Sequence, residues 1–212
     1  MAIGTKHSKR MGRLILPVTY WGDAEYFARL LTADECVIDL HEHYIKRSQR
    51  NRTEIMTAGG VMPLSVPLVR ANRPQTPVCD VRIDYSTRWQ HRHWTAIASA
   101  YRSSPYFDLI AERVERFYTR EWKFLVDYDM DLQGEILELL GATDRKPTPS
   151  ERYVVAAEGD LDLRPKHRTS DFLTPEYFQP FSDRMPFVPN LSVLDVLMSE
   201  GLATADFLAS AL

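Results

Sequence analysis

The sequence predicts an α/β fold: a mixed sheet that opens with a βαβ unit and is packed by several helices from the middle and C-terminal parts of the chain. Three observations carry this. A short apolar run at 14–20 and an alternating one at 36–43 flank a segment of helical period. A glycine turn, Ala58-Gly59-Gly60, lies between two further extended stretches. From Ser86 onward the apolar spacing changes from two residues to three and four.

Taken in order, residues 14–20 read as a buried strand closed by the turn Trp21-Gly22-Asp23, and Asp23 is placed to cap a helix over 24–31, whose Ala24, Phe27, Ala28 and Leu31 share one face. Residues 36–43 alternate with a period of two and form the second strand; if it is parallel to the first, the crossover is right-handed. Strands at 53–57 and 62–70 flank the glycine turn. Pro63 and Pro67 lack the N–H of the ladder, so the second lies at an edge or is bulged. A short strand at 80–85 follows. Ser86 or Thr87 then caps a helix to Tyr101, Ser104-Pro105 restarts a helix reaching Leu125, and a further helix at 131–140 stops at Gly141. Residues 153–156 read as a peripheral strand. The stretch 160–189 holds Pro165, Pro175, Pro180, Pro186 and Pro189 and is too long for a simple connection, so it wraps the body or lines a site. Ser192 with Asp195 starts a helix ended by Gly201, and Thr204 caps the last one.

Composition narrows function by exclusion. With 212 residues, 44% hydrophobic, 26% charged and a net charge of -3, the chain is an ordinary globular protein, read as a basic arm over 1–13 and one domain over 14–212. No apolar run approaches the ~18 residues that cross a bilayer, and the arm precedes too few apolar residues for a secretory signal, which places the chain in the cytoplasm. Cys36 and Cys79 form neither a disulfide framework nor a CxxC zinc pair. Residues 1–103 carry 15 Lys and Arg against 9 Asp and Glu, while 104–212 carry 11 against 20. Most of the front-half excess lies in the arm, too little basic surface for nucleic acid, so none is expected as a partner. The chain has no GxGxxG, GxxxxGK[ST] or GxSxG, which removes the support for Rossmann, P-loop and serine-hydrolase readings. No motif asks for a cofactor.

The polar residues that remain cluster at a few places. His41, His43, Lys46, Arg47, Arg50, Asn51 and Arg52 follow the second strand, where open α/β sheets place ligands; the cations suit a phosphate or carboxylate, and a solvated loop is the alternative. Asp39, His41 and His43 share a strand face, compatible with a metal site lacking one further ligand or with a solvated polar face. Trp89, His93, Ile97 and Tyr101 fall four apart on one helical face, so His93 is either a general acid or base among aromatics or a core residue. Arg102-Ser103-Ser104 sits at a helix junction and is a candidate anion site, or only a cap.

Several blocks in order carry a resemblance. His43-Tyr44-x-Lys46 with Arg50-Asn51-Arg52, then Leu64-Ser65-Val66-Pro67, Asp84-Tyr85-Ser86-x-x-Trp89-Gln90-x-x-His93-Trp94, Ala100-Tyr101-x-Ser103-Ser104-Pro105-Tyr106-Phe107 and Phe187-x-Pro189-Asn190-Leu191-Ser192-Val193-Leu194-Asp195 together resemble the WbqC-like protein family. The resemblance implies a link to bacterial O-antigen and surface-polysaccharide genes, and transfer of glycine or another acyl group onto a sugar. It makes Lys46, Asn51, Arg52, Trp89, His93, Tyr101, Pro105 and Phe107 this chain's copies of the family motif. Where some relatives carry His-Gln-Pro this chain has Ile15-Leu16-Pro17, so chemistry assigned to that histidine does not carry over.

The resulting expectation is an acyl- or aminoacyltransferase acting on a nucleotide-linked amino sugar. Lys46, Arg50, Arg52 and Arg102 would hold the diphosphate or the acyl donor, and Trp89 and Tyr101 would wall a base or sugar ring. His93 would take the proton of the attacking amine, and Asn51 would donate to the oxyanion. It requires the basic turn and His93 to face one pocket. A non-catalytic protein recognising an anionic precursor or a partner enzyme, and a metal-dependent hydrolase using Asp39, His41 and His43, are the alternatives.

Overall fold

The computed structural model describes residues 12–69, 75–167 and 169–212. The expected arm therefore falls almost wholly outside the described residues, as do positions 70–74. Gly12 and Arg13 are tied to a distant loop: the Gly12 N–H donates to the Gly159 carbonyl at 3.1 Å, and Arg13 pairs with Asp160 at 2.9 Å.

The chain has mixed α/β content. Strand β1 (Leu14–Leu16), helix α1 (Ala24–Thr32) and strand β2 (Cys36–Ile38) form the opening βαβ unit, with the two strands parallel and Leu14 opposite Cys36. Asp23 caps α1 by accepting the Tyr26 N–H at 2.8 Å. Strands β3 (Arg52–Thr57) and β4 (Gly60–Ser65) make an antiparallel hairpin around Ala58-Gly59, Gly60 taking a φ of 97° that a side chain disfavours. Pro63 stands in β4, which has no second neighbour among the described residues. Helices α2 (Trp89–Tyr101), α3 (Phe107–Val114) and α4 (Leu125–Leu139) follow, and then the short strands β5 (Thr148–Pro149) and β6 (Leu161–Asp162). Helices α5 (Val193–Glu200) and α6 (Thr204–Ala209) end the chain. Parallel and antiparallel pairing are divided between a four-stranded parallel sheet, ordered β5-β2-β1-β6, and the separate hairpin.

Several elements differ from what the periodicity predicts. β1 stops where Pro17 removes a donor; residues 18–21 stay buried, and the Tyr20 N–H finds the Gln49 carbonyl at 2.9 Å. β2 stops at Ile38 because Asp39 folds back to accept the His41 N–H at 2.9 Å, a side-chain turn that competes with the ladder. Residues 80–85 are no strand: they make isolated bridges, Leu68 with Ile83 and Arg82 with Phe124. The helix expected from Ser104 to Leu125 is broken. α3 ends at Val114, a 3₁₀ turn spans Glu115–Tyr118, and Leu125 begins α4. Residues 153–156 form no strand, whereas β5 and β6 on either side of them do. Gly141 caps α4 at φ 64°, and Ser192 caps α5 by accepting the Leu194 N–H.

The core is aromatic as well as aliphatic. Trp89, Tyr128, Phe117 and Trp122 meet edge-on or stacked at centroid distances of 5.1–6.0 Å, and Tyr20 joins them through His93 and Tyr128. Each such buried ring contributes on the order of 2–3 kcal/mol through area alone. The proline-rich segment after β6 wraps the body and rejoins it at an antiparallel bridge between Asp23 and Ser192. It is fastened by Gln179, whose side chain exchanges two hydrogen bonds with the Val188 backbone, and by Tyr177 and Gln179 donating to buried Asp195. Among the described residues no helix is long and apolar enough to cross a membrane.

Candidate functional site

Parallel strands present all their carboxyl ends to one edge of the sheet, and a cleft of about 580 Å³ opens there. Its wall begins at Pro17, directly after β1, and at Leu163 and Arg164, directly after β6. The start of α1 supplies Gly22, Asp23, Glu25 and Tyr26. The basic turn and β3 supply residues 47–50 and 52–54, and the wrapping segment adds Pro165, Lys166, Ser170, Asn190 and Ser192. Four parts of the chain far apart in sequence therefore build it.

Cations dominate its floor and rim. Arg50 is 2% exposed and donates through Nε to Glu42 Oε1 at 2.8 Å, through Nη2 to Glu42 Oε2, and through Nη2 to the Arg164 carbonyl at 3.1 Å. Its Nη1 donates to no group among the described residues. Arg164, also buried, donates to both oxygens of Asp162, to Asp39 Oδ2 and to the Val154 carbonyl. Burial alone would lower the pKa of Arg164, but pairing with Asp162 and Asp39 outweighs it and raises it. Burial likewise pushes Asp162 up, and the hydrogen bonds from Arg164 reverse this and hold it below the usual carboxylate range. Glu42 differs: burial pushes it up to about 7, against the opposing pull of Arg50. Toward solvent lie Arg47 and Lys166, and Arg52, which pairs loosely with exposed Glu54 at 3.4 Å.

The backbone around the cleft is unusual. Among the described residues four non-glycine positions take positive φ: Trp21, Arg47, Phe181 and Asn190. Arg47 and Asn190 line the cleft, and Trp21 precedes cleft-lining Gly22, itself at φ 53°. A Cβ at Gly22 would come within 2.9 Å of the Phe27 ring. Side chains hold these turns: Asn190 Oδ1 accepts the Glu25 N–H at 2.9 Å, and Asp23 accepts from both Gln49 and Asn190. Strained backbone concentrates where surrounding structure over-determines it, commonly at binding sites.

The residues singled out from sequence separate into two groups. Arg50 and Arg52 line the cleft. Lys46 does not; it is exposed beside it, and its carbonyl accepts from Lys166 Nζ at 3.4 Å. Asn51 does not line the cleft: its Oδ1 accepts from the Tyr44 hydroxyl and one N–H of its Nδ2 donates to the Val66 carbonyl, both at 2.8 Å, which ties the side chain to the scaffold. His93 is absent from the cleft wall. Its Nδ1 is hydrogen-bonded with the Tyr20 hydroxyl at 2.9 Å, and its ring packs edge-on against Trp89 at a centroid distance of 5.1 Å. Burial, reinforced by Arg92, lowers its pKa to about 4. The basic turn and His93 thus do not share one pocket. Trp89 and Tyr101 are core residues, Tyr101 donating to Asp195 at 2.6 Å, and Arg102 is exposed at the far end of α2.

Asp39 faces inward to Arg164, His41 Nδ1 lies 3.9 Å from Cys79 Sγ, and His43 is exposed. Among the described residues no three His, Cys, Asp or Glu side chains are grouped to hold a metal. Sequence reasoning did not single out Arg164, Lys166 or Asp23 as site residues. The one signal was that the proline-rich stretch containing the first two had to wrap the body or line a site.

Fold and cleft together define an α/β protein with a preorganised, cation-lined cleft at the carboxyl edge of a parallel sheet. The chain belongs to the WbqC-like protein family, whose match covers residues 19–169 and so takes in the basic turn, Arg164 and Lys166. It is 31% identical over 96 residues to the uncharacterised protein Rv1507c of Mycobacterium tuberculosis, a match covering 45% of this chain and 41% of that relative. The chain therefore aligns with less than half the length of that protein. No solved structure matches it.

Proposed function

We propose that this protein transfers an acyl or aminoacyl group, such as glycyl, to a nucleotide-linked amino sugar during bacterial surface-polysaccharide synthesis, and that the cleft holds the anionic part of a substrate. The observation that carries the reading is the convergence of Arg47, Arg50, Arg52 and Lys166 on one cleft large enough for a small-molecule substrate. Arginine forks and a lysine point charge are the side chains that bind phosphate oxygens. In this reading Arg50 grips from the floor while Arg52, Arg47 and Lys166 close on the same group from the rim, with Lys46 beside them.

Acyl transfer also needs a base for the amine. With a pKa near 4 and no face on the cleft, His93 is ill suited to that role, and with Asn51 it serves as support for the cleft's rear wall. Half-exposed Glu54, on the cleft wall beside Arg52, takes the proton instead. Nucleotide sugars are made in the cytoplasm, which is where this reading puts the protein.

The test is a thermal-shift series with nucleotide sugars and acyl donors on the wild-type chain and Arg52→Ala, followed by mass spectrometry for a transferred group. Stabilisation lost in Arg52→Ala and a product mass supports the reading, whereas no stabilisation by any phosphate-bearing ligand overturns it. Binding without product supports the second reading, a non-catalytic protein recognising an anionic precursor; the position of His93 outside the cleft is the observation that favours it.

A further inference from the structure

Arg50 carries a feature that packing does not explain. A guanidinium only 2% exposed is held on one side by Glu42, through Nε and Nη2, and by the Arg164 carbonyl, while its Nη1 edge meets no protein acceptor among the described residues and the residue lines the cleft. Nη1 is not among the buried polar atoms left without a partner, so this edge is reached from the cleft, and a fixed cationic edge open to a cleft points to a ligand acceptor. Glu42, which fixes that orientation, is 4% exposed and lies in the loop after β2.

We propose that Glu42 is a positioning residue for the anion site, and that an anion on Arg50 and a proton on Glu42 bind together. The inference rests on the anion-binding cleft proposed above. Ionised Glu42 and an incoming anion compete for one guanidinium. When the carboxyl is protonated, its hydroxyl oxygen no longer accepts from Arg50 as well, and the arginine's charge is left to the ligand. By reciprocity the bound anion, a second negative charge beside a buried carboxyl, raises the proton affinity of Glu42. The groups facing Glu42 are few. Arg50 and Arg164 favour its ionised form and Asp39 opposes it, while His41 and His43 share its segment. Burial already brings its titration to about 7, so the coupling operates across the neutral range. The sign follows: an anion of fixed charge binds more tightly below that value and more weakly above it.

The experiment uses the full chain and inorganic sulfate, whose charge does not change between pH 6 and pH 8. Isothermal calorimetry is expected to give at least about five-fold tighter binding at pH 6 than at pH 8 for wild type, the lower end of typical coupling between sites. In Glu42→Gln, whose carboxamide oxygen still accepts from Arg50, that ratio is expected to fall below about two, which separates Glu42 from every other group as the source of the pH dependence. Equal wild-type affinity at both pH values, or a pH dependence that survives in Glu42→Gln, overturns the inference and leaves the cleft reading standing. Absence of sulfate binding at either pH removes both. Should Glu42→Gln not fold, the Glu42 carboxyl carbon NMR resonance of the wild type decides: its titration midpoint rises on adding sulfate, and an unmoved midpoint overturns the proposal.

Discussion

Tyr101→Phe asks whether the aromatic stripe of α2 is a wall of the ligand site or part of the scaffold. The hydroxyl of Tyr101, fully buried, donates to Asp195 Oδ1 at 2.6 Å; Tyr177 and Gln179 donate to Oδ2 at 2.7 and 3.2 Å. Burial raises the pKa of Asp195, and these three donors pull it back, so each favours the ionised form in the fold. Deleting one hydroxyl leaves a buried carboxyl oxygen short of its side-chain donor. Hydrogen bonds to charged groups contribute ~1.5–3 kcal/mol, and in a domain of this size each kcal/mol moves the midpoint by ~2–4 °C. A loss of ~2 kcal/mol therefore lowers the melting temperature by ~4–8 °C. Urea unfolding followed by circular dichroism at pH 7 should show a lower midpoint with an unchanged slope, and sulfate affinity should change less than two-fold. An unchanged midpoint, or unchanged stability with lost sulfate binding, would refute this and return Tyr101 to the ligand.

Three further perturbations follow from buried groups. His93 titrates at about 4 in the fold against 6.5 when unfolded, so the unfolded chain takes the proton first and up to ~3 kcal/mol of stability is lost as pH falls from about 6.5 to 4. His93→Gln should flatten that part of the urea-midpoint profile; a wild-type slope in the variant would show that another group causes it. Asp129 is 1% exposed, neither of its oxygens has a hydrogen-bond partner among the described residues, and burial raises its pKa well above 3.8. A carboxyl raised in the fold costs stability as pH climbs above its unfolded value, so Asp129→Asn should gain on wild type as pH rises from about 4, and a constant difference in unfolding midpoint would count against it. Gly22→Ala puts a Cβ 2.9 Å from the Phe27 ring at a φ of 53°, and should cost ~2 kcal/mol and weaken sulfate binding, both readable from melting curves with and without sulfate.

Legibility followed the locality of the forces. The βαβ opening, the Asp23 and Ser192 caps and the Gly141 stop were readable because each depends on a few neighbouring residues. β2 was overextended because alternation at 36–43 persists in the sequence after Asp39 has turned away to meet Arg164, a partner 125 residues distant. The site was half legible. Composition located the basic turn, and Arg50 and Arg52 do line the cleft, but periodicity on α2 is the same for an aromatic stripe that packs a core and one that lines a pocket. His93 turned inward because the Tyr20 hydroxyl holds its ring, a contact across 73 positions that no local pattern encodes.

The cations at the cleft floor are better explained by binding than by stability. A buried ion pair gives little net stabilisation, because desolvating both charges offsets most of their attraction, and well-packed apolar residues of similar volume often serve a core as well. Here two buried arginines are held side by side by three carboxylates, Glu42, Asp39 and Asp162, with the Arg164 carbonyl linking them. Arg164 spends its donors on neighbours and fixes the strand ends, whereas Arg50 keeps one edge open to the cleft. That division of labour is what a rigid anion site requires: the ordering and desolvation of the cation are met during folding, so a ligand need not supply them when it binds. The solvent-facing Arg47 and Lys166 gain little from any fixed geometry, and in the proposed reading their part is to draw an anion toward the floor.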